Sequence, residues 1–165
     1  MATGKGTIPQ TGLAPEGVRI GVAVGRFNED ITTQLRDGAR AALAAAGVTD
    51  DRICEVWVPG AYELPLAARV MLVDGGCDAV VALGCVIRGD TGHYDFVAGE
   101  CASGLQRVQL DFGAPVVFGV LTVENMDQAV ERAAVDQMNK GGEAGDTAIE
   151  MIATLRGIAA FAKDA

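Results

Sequence analysis

The nine residues Ala79-Val80-Val81-Ala82-Leu83-Gly84-Cys85-Val86-Ile87 carry no charge and show no polar alternation. A strand with one wet face alternates, whereas one that is apolar on both faces suits the middle of a parallel sheet covered by helices on each side. Working outward, Val18, Ile20, Val22 and Val24 alternate up to Gly25, which predicts a first strand. Asn28 then stands where it can cap a helix, and Ile31, Leu35, Ala39, Ala42, Leu43 and Ala46 recur at helical spacing until Gly47. The same reading predicts strands near 52–58, 79–87 and 116–123, and helices over 63–74, 94–111, 127–135 and 144–162. Four βα units make a three-layer α/β sandwich around a four-stranded parallel sheet. Ligands of such sheets bind outside the carboxyl ends of the strands, so the segments after each strand are where chemistry is expected.

The length of 165 residues fits one core, able to bury roughly 68 to 70% of its unfolded surface. Residues 1–17, rich in Gly and Pro, read as a flexible arm, and 18–165 as a single domain. With 50% hydrophobic and 21% charged residues, a disordered or collagen-like chain is excluded. A formal charge of -9 argues against a nucleic-acid or anionic-membrane face, so an anionic ligand needs local positive groups. No apolar run approaches the roughly 20 residues of a bilayer span, and the N-terminus lacks a signal-like core, which predicts a cytoplasmic location. Cys54, Cys77, Cys85 and Cys101 lack CxxC spacing and the chain has one histidine, so free thiols and no metal site are expected.

Four segments follow the four strands. After the first comes Gly25-Arg26-Phe27-Asn28, where Phe27 offers either a stacking platform or a cap on the edge of the core. After the second, Gly60 permits a close backbone approach to a ligand within Pro59-Gly60-Ala61-Tyr62-Glu63, and Glu63 opens a helix, where a carboxylate has a capping role. The third segment, Arg88-Gly89-Asp90-Thr91-Gly92-His93-Tyr94, puts the lone histidine at a helix start, beside free N–H groups that attract anions. After the fourth strand, Arg132 and Lys140 are cations that either serve an anion or remain solvated.

Several motif readings fail. Asp90-Thr91-Gly92 spells the aspartic-protease triplet, but the required second copy is missing. No GxxxxGK[ST] stands in the chain and no GxGxxG in context. Cys85 is followed by Val86 and Ile87, which suits a continuing strand better than a nucleophile turn. A phospho-receiver needs an acidic cluster after the first strand, which Arg26-Phe27-Asn28 does not supply.

Taken together, Gly25-Arg26-Phe27-Asn28, Val58-Pro59-Gly60-Ala61-Tyr62-Glu63-Leu64-Pro65, Gly84-Cys85-Val86-Ile87-Arg88-Gly89 with Thr91 and His93, Phe118-Gly119-Val120-Leu121-Thr122, and Glu131-Arg132-Ala133 with Asn139-Lys140-Gly141 resemble the lumazine synthases of riboflavin biosynthesis. The resemblance spans about Val18 to Leu155 and implies a flavodoxin-like fold. It implies condensation of 5-amino-6-(D-ribitylamino)uracil with 3,4-dihydroxy-2-butanone 4-phosphate, releasing phosphate and water, without metal or organic cofactor. By the same resemblance, Phe27 stacks on the pyrimidine beside Asn28. Gly60, Ala61, Tyr62, Glu63 and the backbone of Cys85, Val86 and Ile87 hold its polar edge and ribityl chain. Asp90 and Thr91 lie against the phosphate substrate, and His93 transfers protons. Phe118, Arg132 and Lys140 come from the neighbouring subunit, Arg132 binding phosphate. The chain departs from the family pattern at Asp90, at Gly92 and over 133–139, where Asp136 adds a negative charge.

The family forms pentamers, decamers and hollow shells of twelve pentamers. No insertion between Lys140 and Glu150 marks the chain as pentamer-only, so the resemblance implies a homopentamer assembled into a sixty-subunit shell, with the free pentamer second. Its partners are then two small-molecule substrates and copies of itself, with no nucleic acid and no membrane. A catalytically weakened, cage-forming structural protein of the same fold is the alternative reading.

Overall fold

The computed structural model describes residues 12–161. Four parallel strands, β1 (Ile20–Gly25), β2 (Ile53–Val58), β3 (Ala79–Ile87) and β4 (Val116–Val123), form one sheet in the order β2-β1-β3-β4. Five helices follow them: α1 (Glu29–Ala45), α2 (Leu64–Val73), α3 (His93–Phe112), α4 (Met126–Ala133) and α5 (Lys140–Phe161). The α/β sandwich expected from the sequence is therefore present.

The two inner strands lie where their composition puts them. Every residue of β1 and all of β3 except Ile87 are buried. Successive side chains feed opposite layers: Val22, Val24, Val81, Leu83 and Cys85 pack with α1, α4 and α5, while Ala23, Val80, Ala82 and Val86 pack with α2 and α3. Moving from β1 to β2 places α1 on one face, and moving back through β3 to β4 places α2 and α3 on the other, as right-handed crossovers require. The order reverses between β1 and β3, and that switch point opens the crevice in which the site is found.

The sequence reading of the last helix needs correction: α5 begins at Lys140, four positions earlier than expected. Gly141 and Gly142 read as loop because glycine is a poor helix former. Here the glycines are contact points between α5 and α1. A Cβ on Gly141 would run into the Leu35 carbonyl, and one on Gly145 would stand 2.9 Å from the Ala39 oxygen. Asn139, at φ 45°, starts the helix by accepting from the Gly142 N–H at 3.0 Å. Elsewhere in a helix Gly→Ala is stabilising by propensity. At Gly141 the sign is expected to reverse. Gly141→Ala should lose about 2 kcal/mol through forced separation of α1 and α5, read as a melting point lower by about 4 to 8 °C. An unchanged or raised melting temperature would show that the helices are not held by this contact.

Most of the arm read over 1–17 lies outside the described residues. Those that are described rest on the fold: the Ala14 N–H donates to the Ala46 carbonyl at 2.8 Å, past the end of α1. Among the described residues no helix is long and apolar enough to cross a membrane.

Candidate functional site

A cavity of about 560 Å³ opens at the carboxyl ends of β1 and β3. Phe27 and Asn28 line it from the β1 loop, Gly60–Glu63 from the β2 loop, Cys85–Ile87 from β3, and His93, Phe96 and Val97 from α3. Three post-strand segments that the sequence singled out separately therefore meet in one place.

The first two loops lock together through missing side chains. A Cβ on Gly25 would be 3.2 Å from the Gly60 carbonyl carbon, and one on Gly60 would overlap the Phe27 ring. The position a Gly60 Cβ would take is filled by the Phe27 ring, while Gly60 itself lines the cavity. With one side of its ring on Gly60 and 70% of the residue exposed, Phe27 offers its remaining surface to the cavity. It does not cap the core edge. The Phe27 N–H donates to the Pro59 carbonyl at 3.1 Å, and the Arg26 N–H to Val58 at 2.9 Å, so the loop is anchored from its backbone.

Asn28 stands at the N-cap position of α1 but does not cap it through its side chain. At φ 59° it is left-handed, a conformation asparagine tolerates. Its Nδ2 donates instead to the Cys85 carbonyl at 3.0 Å, tying the β1 loop to the end of β3. That carbonyl therefore reaches any ligand with one acceptor already engaged. Glu63 has the capping role read from the sequence: its Oε2 accepts from the Gly60 N–H at 2.9 Å, closing the 3-10 turn Ala61–Glu63. Beside it, Tyr62 is exposed.

His93 is the first residue of α3 and is exposed, with its N–H donating to Thr91 Oγ1 at 3.4 Å. Sequence reasoning missed Phe96 and Val97. Both were legible in principle, because they sit three and four residues after His93 and hence on its face of the helix. Asp90 and Thr91 precede His93 and stay outside the cavity wall.

The remaining sequence candidates lie elsewhere on the same chain. Phe118, on edge strand β4, and Lys140 line a second cavity of about 490 Å³ that shares no residue with the first. Lys140 pairs with Glu143 at 2.6 Å. Arg132, half-buried in the last turn of α4, donates to the Gln128 carbonyl at 3.2 Å and stands 3.6 Å from Glu131. Neither cation reaches the His93 cavity within one chain.

The buried thiols of Cys77, Cys85 and Cys101 behave as packing groups, and Cys54 is exposed. Burial pushes Cys85 up to about 11, and Cys101 to about 12. At pH 8 only about one Cys85 in a thousand is then thiolate, which leaves no useful nucleophile. Cys85→Ala is expected to keep kcat within about threefold, and alkylation at pH 8 should spare Cys85 until the chain is unfolded. Rapid native alkylation of Cys85 accompanied by loss of activity would contradict this.

Comparison with known proteins points to one family. Residues 17–156 match the family model described as 6,7-dimethyl-8-ribityllumazine synthase. A protein of that name from Edwardsiella ictaluri is 52% identical over 155 residues, 93% of this chain and 99% of the relative. Another of the same name, from Pectobacterium atrosepticum, is 53% identical over 150 residues, 88% of this chain and 95% of the relative.

Proposed function

Because the chain belongs to the 6,7-dimethyl-8-ribityllumazine synthase family, we infer that it condenses 5-amino-6-(D-ribitylamino)uracil with 3,4-dihydroxy-2-butanone 4-phosphate, releasing phosphate and water, in the penultimate step of riboflavin biosynthesis. The observation that carries this beyond the family match is the cavity at the switch point, where an exposed aromatic and the only histidine of the chain line one wall-to-wall space.

The chemistry needs two things. Imine formation between the ring amine and the ketone requires protons moved on and off oxygen, and phosphate departure requires its charge to be held. Phe27 gives the pyrimidine a flat apolar surface, while Asn28, Gly60–Glu63 and the backbone of Cys85–Ile87 face its polar edge and ribityl chain. His93 transfers the protons, with Asp90 and Thr91 on its phosphate side. Holding both reactants in register can itself lower a barrier by about 7 to 11 kcal/mol, so one imidazole and one guanidinium are sufficient. No cofactor enters this scheme.

The guanidinium comes from another copy of the chain. Arg132, Phe118 and Lys140 do not line the His93 cavity of their own chain, yet Phe118 is exposed along the edge strand. A neighbour in a homopentamer would bring Phe118 over the ring and Arg132 to the phosphate. We place the enzyme in the cytoplasm, as pentamers assembled into a sixty-subunit shell. Electron microscopy showing only rings of five would reject the shell and leave the shared site standing. Mixing the two substrates with purified protein should yield a fluorescent lumazine at a rate proportional to protein. An intact assembly that yields none would instead be the structural cage.

A further inference from the structure

We propose that Arg88 is a positioning residue that orients His93 by clasping the first turn of α3 to the end of β4. The proposal rests on the reaction inferred above and concerns the same site. Arg88 follows the last residue of β3, and its N–H donates to the Val123 carbonyl at 2.9 Å, one rung beyond the β3–β4 pairing. Its Nε donates to both oxygens of Glu124, at 3.0 and 3.3 Å, and its Nη1 donates to Asp95 at 3.4 Å. The guanidinium lies over the Tyr94 ring, 4.0 Å from its centroid. One side chain thus grips the two residues after His93 and a fixed point beyond β4.

The intervening segment Gly89-Asp90-Thr91-Gly92 offers no comparable hold. All four residues are exposed, and a Cβ placed on Gly89 or Gly92 would meet nothing within 4 Å. Tyr94 and Val97 pack the start of α3 on the core, and on the side of the loop the clasp is what adds to that packing. Nε and Nη1 of Arg88 are already engaged by two carboxylates, those of Glu124 and Asp95. Exposed ion pairs contribute little to global stability, so the consequence falls on geometry. A displacement of about 1 Å at a reacting group can slow chemistry by about 10²-fold.

The test is Arg88→Met, which keeps the stem and loses the fork, alongside Arg88→Lys and Glu124→Gln. Arg88→Met is expected to lower kcat about tenfold while KM for the pyrimidine substrate, whose contacts are elsewhere, moves less than about threefold. Arg88→Lys retains the charge without the bidentate grip and should recover only part of the loss. Glu124→Gln leaves Arg88 in place and should show the same sign at smaller size. Hydrogen exchange over residues 89–97 should quicken in Arg88→Met while β1 and α1 stay protected. Unchanged exchange in that segment overturns the clasp, and faster exchange with kcat within twofold overturns its part in catalysis. A parent protein that makes no lumazine ends the functional reading alone, since exchange still decides the clasp.

Discussion

Replacing Arg132 by alanine should remove most of the activity, lowering kcat/KM for the phosphate substrate about 10³-fold. Truncating one partner of a hydrogen-bonded charge pair costs about 2 to 5 kcal/mol, and each 1.4 kcal/mol is tenfold. The upper part of that range applies because the chain is acidic overall, with 13 Lys and Arg against 22 Asp and Glu, so the protein's general field does not help to hold an anion. Within its own chain Arg132 donates to a single carbonyl and approaches one carboxylate, leaving most of its five N–H donors for a phosphate. Arg132→Lys should rescue only in part, since a point charge does not reproduce the bidentate fork. The measurement is steady-state kinetics with the phosphate substrate varied. An undiminished Arg132→Ala enzyme would refute the phosphate role.

His93→Ala should be milder, about 10²-fold in kcat, at the low end of what general acid–base catalysis supplies. The residual rate comes from holding the two reactants together, which the rest of the cavity still does. His93 is the only histidine in the chain, so acylation of imidazole in the parent protein should mimic the substitution and leave the His93→Ala variant unaffected. Full activity of His93→Ala would remove the proton-transfer role. Complete inactivity would mean that the imidazole does more than move protons.

Much of the fold was legible because the inner strands have no wet face. The expected bounds of the third and fourth strands, 79–87 and 116–123, coincide with β3 and β4. The start of α5 was not legible, because Gly141-Gly142 signals a loop locally, and only the Leu35 backbone pressed against it explains why glycine is retained in a helix. Asn28 shows the same limit at the site. Its type predicted a cap, but its partner is a carbonyl 57 residues away that no local pattern encodes. Gly60 was read as permitting a close backbone approach to a ligand; that its missing Cβ also seats the Phe27 ring was not legible, because the contact spans two loops. The cavity itself was anticipated from strand ends and one histidine, while Phe96 and Val97 needed the face of α3 to be known. The separation of His93 from Arg132 and Phe118 is of another kind: one chain carries both halves of the proposed site without bringing them together.

Co-assembly of His93→Ala chains with Arg132→Ala chains tests that shared site most directly. If each site takes its imidazole from one chain and its guanidinium from the next, random mixing in equal amounts rebuilds about a quarter of the sites in full, and activity should rise to about a quarter of the parent's. Activity no higher than the average of the two separate variants would mean that both groups serve a site within one chain, and the account would fail.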